Sequence, residues 1–129
     1  MTRQQRQSIE QECARLIALY ANLNDAARWE EVAALYADDG RMARPTAPDD
    51  WVEGRAAILA AFTARPPRTT RHVCSNVVID VLSDTEARGE SAMLLFTADT
   101  ASKAGSFHDR FVLTGEGWRF AERRGSLTF

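Results

Sequence analysis

Helical periodicity marks the first half of the chain and strand-like runs mark the second. Apolar residues fall at Ile9, Cys13, Leu16, Ile17 and Tyr20, the i, i+4, i+7, i+8 spacing of one buried helix face. Ser8 stands where an N-cap belongs, and the pattern predicts a helix from there to about Asn24–Ala27. A second, short helix is predicted from Trp29 to Ala37, burying Trp29, Val32, Ala33 and Tyr36 and ended by the turn residues Asp38-Asp39-Gly40. Arg41 to Arg44 reads as a short extended piece and Pro45 to Asp50 as a loop. Gly54 precedes a third helix over Arg55 to Ala64, anchored by Ile58, Leu59 and Phe62 and stopped by Pro66-Pro67.

Four strands are predicted after that point: Thr70 to Ser83, Glu86 to Asp99, Phe107 to Thr114 and Gly117 to Thr128. Gly115-Glu116-Gly117 signals a tight hairpin between the last two. Helices followed by an antiparallel meander form an α+β pattern, not the alternating βαβ of a dinucleotide fold. The chain has neither a Gly-rich phosphate loop nor a G-x-S-x-G elbow. In the first strand Val77, Ile79 and Val81 oppose Val78 and Leu82. Both sheet faces are therefore expected to be covered, one by the helices and the other by a second copy of the chain in a homodimer.

Composition narrows the function. With 129 residues, 45% hydrophobic and 26% charged, the chain is expected to be one folded domain over 1–129. Sixteen basic residues against eighteen acidic give a net charge of -2, which argues against a nucleic-acid partner. The polar start and the lack of any apolar run near ~18–20 residues predict a soluble, cytoplasmic protein without a membrane partner. Cys13 and Cys74 are then expected to be reduced thiols that pack as small hydrophobes. The chain has two histidines and two cysteines and no H-x-H or H-E-x-x-H spacing, so neither a metal nor a cofactor is expected. Fifteen of the sixteen basic residues are Arg, Lys103 being the exception.

A few polar residues depart from this pattern. By alternation His72 shares a face with Cys74, Asn76 and Val78. It is either a satisfied structural histidine or a pocket group able to transfer protons near neutral pH. Asp25 ends the first helix, where the helix dipole disfavours a carboxylate. Periodicity places Asn24, not Asp25, on the apolar stripe. Asp25 is thus either a solvated turn residue or a functional one. Asp109 shares parity with Phe107, Phe111 and Leu113, where a carboxylate needs an Arg or His partner, structural or functional. His108 lies on the other parity. One of Arg123 and Arg124 must point inward.

The order of several segments resembles the SnoaL-like branch of the nuclear transport factor 2-like superfamily. The segments are Ile17-Ala-Leu-Tyr20-Ala-Asn-Leu-Asn-Asp25, Trp29 to Gly40, Gly54-Arg55-Ala-Ala-Ile58, Thr70-Arg-His72-Val-Cys-Ser-Asn76 and Gly117-Trp118-Arg-Phe-Ala-Glu-Arg123-Arg124. The resemblance implies a cone-shaped α+β barrel, with three helices on a strongly curved, mostly antiparallel sheet around a pocket. It also implies dimerisation through the outer sheet face. Within the superfamily the pattern is similar to the cofactor-free scytalone dehydratase and γ-hexachlorocyclohexane dehydrochlorinase group. That likeness implies an Asp–His dyad in which His72 is the general base and Asp25 its orienter, with Arg123 helping the leaving group. Tyr20 and Asn76 match positions facing the pocket, and Asp109 joins them here as an expected substrate-side residue. The stretch Ser91 to Phe96 lacks the second histidine of scytalone dehydratase, so substrate identity does not carry over. The expected function is a cofactor-independent lyase or isomerase acting on a small hydrophobic cyclic or aromatic molecule. The alternatives are a non-catalytic binding module and a structural subunit resembling the β subunit of ring-hydroxylating dioxygenases.

Overall fold

The computed structural model describes residues 1–127, so Thr128, the predicted end of the last strand, lies outside the described residues. Helix α1 (Arg3–Asp25) starts earlier than Ser8. A capping box at Thr2 explains this: the Thr2 hydroxyl accepts from the Gln5 backbone N–H at 3.1 Å, and the Gln5 side chain accepts from the Thr2 N–H at 2.8 Å. Two otherwise orphaned donors are satisfied reciprocally, and Ser8 falls inside the helix. The buried stripe of α1 comprises Ile9, Cys13, Leu16, Ile17, Tyr20, Ala21 and Asn24.

Helix α2 (Trp29–Ala34) is shorter than predicted, and the backbone is already extended in β1 (Tyr36–Arg44). Asp38-Asp39-Gly40 is therefore strand, not a helix stop. Tyr36 and Ala37 are buried, and the Phe120 N–H donates to the Leu35 carbonyl at 2.8 Å. Gly40 serves close approach: a Cβ there would lie 2.9 Å from the Phe120 carbonyl oxygen. The predicted loop at Pro45 to Asp50 mostly forms β2 (Ala47–Glu53), paired antiparallel with β1. Proline and aspartates disguise it, but β2 is a sheet edge, where both are tolerated. Helix α3 (Arg55–Thr63) follows Gly54, whose φ of 92° favours glycine.

The long strands are β3 (Thr70–Val81), β4 (Glu86–Thr97), β5 (Lys103–Thr114) and β6 (Gly117–Ser126). β5 begins four residues before the predicted Phe107, because Lys103 to Ser106 pair with Leu95 to Ala92. The sheet order is β2-β1-β6-β5-β4-β3, antiparallel except for the parallel pair β1–β6. The helices pack on one face of this curved sheet, and the fold is α+β. Tyr20, Tyr36, Phe62, Phe107, Phe111 and Phe120 fill the space between. Tyr20 lies at the centre, edge-on to four rings with centroids 6.0–6.4 Å away. The outer face, expected to take a second copy, is apolar in this single chain: Val73, Val78, Leu94 and Phe96 lie on β3 and β4 with 43–57% exposure.

Candidate active site

Local structure at the end of α1 brings Asp25 to β3. The helix closes in a Schellman motif: the Ala27 N–H donates to the Asn24 carbonyl at 3.0 Å and the Arg28 N–H to the Leu23 carbonyl at 3.0 Å. Ala27 holds φ 55°, a left-handed conformation that costs a non-glycine residue on the order of 1 kcal/mol. This hooked end leaves Asp25 facing the start of β3. Its Oδ1 accepts from the Thr70 hydroxyl at 2.9 Å and lies 2.6 Å from His72 Nδ1, while its Oδ2 accepts from the His72 backbone N–H at 2.8 Å. Both side chains are only 8% exposed.

A carboxylate accepts only, so Nδ1 carries the proton and donates, which leaves the Nε2 lone pair free in neutral imidazole. Nε2 has no hydrogen-bond partner among the described residues. Burial lowers the His72 pKa below 6.5, outweighing the Asp25 hydrogen bond and charge that raise it; Arg68 and Arg123 lower it further. The ring is therefore neutral at pH 7 and able to accept a proton.

His72 lines a cavity of about 380 Å³ together with Tyr20, Asn24, Met93, Leu95 and Phe107. The volume suits a small cyclic molecule. A wider groove of about 1100 Å³ runs beside the first turns of α1, between Met1 and Glu12. It lies apart from His72 and Asp25, and it holds no histidine or cysteine.

The other predicted residues occupy varied positions. Tyr20 is in the cavity wall. Asn76, expected beside His72, is exposed and is not a wall residue. The register shifts between Ser75 and Val78, and Asn76 takes φ 54° in this bulge, which breaks the alternation from which its facing was read. Of the two adjacent arginines, Arg123 points inward at 1% exposure, whereas Arg124 donates outward to the Pro48 carbonyl and Asp49. Neither Arg123 nor Asp109 reaches the cavity wall. Arg123 lies beneath it, its Cζ 3.8 Å from the Phe107 ring centroid, 4.3 Å from Tyr20 and 4.8 Å from Phe120. Asp109 is its ion partner at 3.4 Å (Nε–Oδ1), without hydrogen-bond alignment. Burial pushes the Asp109 pKa up to about 7, against the pull of Arg123. The predicted partner for a carboxylate on the apolar face thus exists, but both groups sit behind the aromatic wall. His108 is on the outer side, 3.6 Å from Glu90.

The cysteines are free thiols; burial pushes Cys13 up to about 12 and also raises Cys74. Among the described residues no three His, Cys, Asp or Glu side chains are grouped to hold a metal ion. No helix among them is long and apolar enough to cross a membrane. Sequence reasoning missed Thr70 and the cavity's basic residues Arg44, Arg65, Arg68 and Lys103. Asn24 carried a usable signal, a polar residue on an apolar stripe; the basic residues carried none, since they converge only in three dimensions.

The SnoaL-like domain family matches residues 5–124. The chain belongs to this family. Among solved structures it is similar to a candidate scytalone dehydratase from Novosphingobium aromaticivorans, with TM-score 0.84 and 24% identity over 96% of this chain and 87% of that one. A nuclear transport factor 2-like protein with a cystatin-like fold, also from Novosphingobium aromaticivorans, gives TM-score 0.81 and 24% identity over 94% and 83%. A protein of Catenulispora acidiphila solved in complex with S-DNPA gives TM-score 0.77 and 24% identity over 92% of each chain. No curated protein matches the chain. At these identities the structures establish the shared fold.

Proposed function

We propose that this SnoaL-like protein is a cofactor-independent lyase or isomerase that removes a proton from a small hydrophobic cyclic or aromatic molecule, with His72 as base and Asp25 as its orienter. One observation carries the reading: His72 Nδ1 is held 2.6 Å from Asp25 in the wall of a half-buried cavity, with Nε2 unpartnered. In a dehydration, Nε2 takes the proton α to a carbonyl and the C–H electrons form the enolate. Collapse of the enolate forms the C=C bond and breaks the C–O bond, and the proton on Nε2 leaves with the hydroxyl as water. Asp25 stabilises the imidazolium between these steps. Tyr20 and Asn24 are among the wall residues with a group able to donate to the enolate oxygen. Arg123, behind Tyr20 and Phe107, acts as a positioning residue for those rings and through its charge, not by touching the leaving group.

The test is a turnover screen of cyclic β-hydroxy ketones with wild type and His72→Ala, each checked for folding. Turnover lost by about 10²–10⁴-fold in a folded variant supports the base. A folded variant with full turnover refutes it, and ligand binding without turnover in the wild type favours the binding-module reading. The exposed Val73, Val78, Leu94 and Phe96 support a further part of the proposal, self-association through the outer face of β3 and β4.

A further inference from the structure

The cavity that holds His72 combines apolar side chains, Met93, Leu95 and Phe107 among them, with a group of cations. Arg44, Arg65, Arg68 and Lys103 all line it, and no Asp or Glu does. This is a marked separation of charge in a chain whose acidic residues outnumber its basic ones, eighteen to sixteen. None of the four forms an ion pair among the described residues. Arg41, Arg55 and Arg124 show the contrast, each paired with a carboxylate at 2.6–2.9 Å.

Two of the four are built into the site. Arg44 is anchored by donation from its NH2 to the Ala61 carbonyl at 2.9 Å, while its Nε is buried without a partner. Arg65 lies over the Phe62 ring, its Cζ 4.3 Å from the ring centroid. Burial pushes Arg65 down to about 10, and the charges of Arg44 and Arg68 add to that fall. Cations converging on one half-buried cavity repel one another, and the cost falls when an anion joins them. Guanidinium groups pair with the two oxygens of a carboxylate or phosphate in fork geometry.

We infer that the substrate of this cavity carries an oxyanion, a carboxylate or a phosphate ester, on its hydrophobic ring, held by Arg65, Arg68, Arg44 and Lys103 while the ring lies toward Met93, Phe107 and His72. This rests on reading the cavity as the substrate site and adds the substrate's charge. It also gives Arg68 a second role. An anion beside Arg68 offsets one of the charges that lower the His72 pKa, so occupancy makes the base stronger.

The experiment is a binding titration by NMR at low ionic strength with three probes of one ring system: 1-naphthoate, 1-naphthyl phosphate and the uncharged 1-naphthamide. It uses wild type, Arg68→Met and Lys103→Met; both substituted side chains are outside the core, so the fold is retained. The expected result is that at least one anion binds about 10-fold or more tighter than the amide. Its advantage shrinks in each variant and with added salt, and the His72 ring titrates at higher pH in the anion complex. Which anion binds more tightly assigns the group. Amide binding equal to that of both anions, anion binding unchanged in the variants, or no binding of either anion overturns the inference. The readout is binding, not turnover. Failure here leaves the proton-abstraction reading standing, and unimpaired turnover by His72→Ala would leave an observed anion preference standing.

Discussion

Replacing Asp25 by Asn keeps the shape of the side chain while changing which atoms donate. In the wild type Oδ2 accepts from the His72 backbone N–H at 2.8 Å, and Oδ1 accepts from Thr70 at 2.9 Å and from His72 Nδ1–H at 2.6 Å. A carboxamide has one acceptor oxygen and one NH2 group. The backbone N–H cannot become an acceptor, so the amide oxygen must face it and the NH2 must face Nδ1 and Thr70. The threonine hydroxyl rotates to accept. Nδ1 accepts only if its proton moves to Nε2. The substitution therefore reverses the tautomer and turns the free nitrogen of His72 from a base into a donor. Three charge-assisted hydrogen bonds become neutral ones at about 1 kcal/mol each, a loss of about 2–3 kcal/mol in stability. The carboxylate's upward influence on the His72 pKa also disappears, so the ring titrates still further below 6.5. Each 1 kcal/mol of that influence corresponds to about 0.7 pH unit. A comparable tautomer reversal in a Ser-His-Asp triad costs about 10⁴ in turnover. The assay is a long-range ¹H–¹⁵N correlation of the His72 ring at pH 8. Wild type is expected to show protonated Nδ1 and bare Nε2, and Asp25→Asn the reverse. A variant that keeps the lone pair on Nε2, or a wild type already protonated there, refutes the reasoning.

The remaining predictions are independent of one another. The proposed turnover, measured as kcat/KM against pH, falls on the acid side with an inflection below 6.5, because the base must be neutral and burial lowers its pKa; an inflection above 7 contradicts this. The same shift makes a stabilising term that is present above about 6.5 and is lost as pH falls through the lower folded value. Asp109 has the opposite sign: its folded pKa of about 7 exceeds the unfolded value, so wild-type stability falls between about pH 4 and pH 7 by up to about 4 kcal/mol. Urea melts of Arg123→Met at pH 5 and pH 8 should show a larger difference than wild type, since the group that pulls the Asp109 pKa down is gone; an unchanged difference refutes the coupling. Ala27→Gly relieves the φ of 55° and should stabilise by about 0.5–1 kcal/mol, seen as a raised Tm. Leu94→Asp on the exposed outer face should convert a dimer into monomers by sedimentation equilibrium, and a monomeric wild type would refute self-association there.

Sequence pattern by itself determined the elements whose register is local. The stripe from Ile9 to Tyr20 made α1, and the helix over Arg55–Thr63 came from its anchors and the prolines after it. The hairpin at Gly115–Gly117 followed from its turn residues. The paired positions of Asp25 and His72 were legible through the family resemblance, because a helix end and a strand start occupy fixed places in this fold.

Tertiary structure decided the rest, since partners distant in sequence set the outcome. Tyr36–Arg44 is strand because β6 supplies hydrogen bonds that no local pattern encodes, and Gly40 answers to Phe120 rather than to a helix end. A bulge reversed the facing expected of Asn76. Arg123, expected at the reacting group, sits with Asp109 behind Tyr20 and Phe107, where aromatic faces and a counter-charge make a buried cation tolerable. Four cations scattered from Arg44 to Lys103 share one cavity only because the end of β1, the segment after α3 and the start of β5 meet there. Periodicity records which residues face a neighbour; which neighbour they face depends on long-range pairing, and the site is made of such pairings.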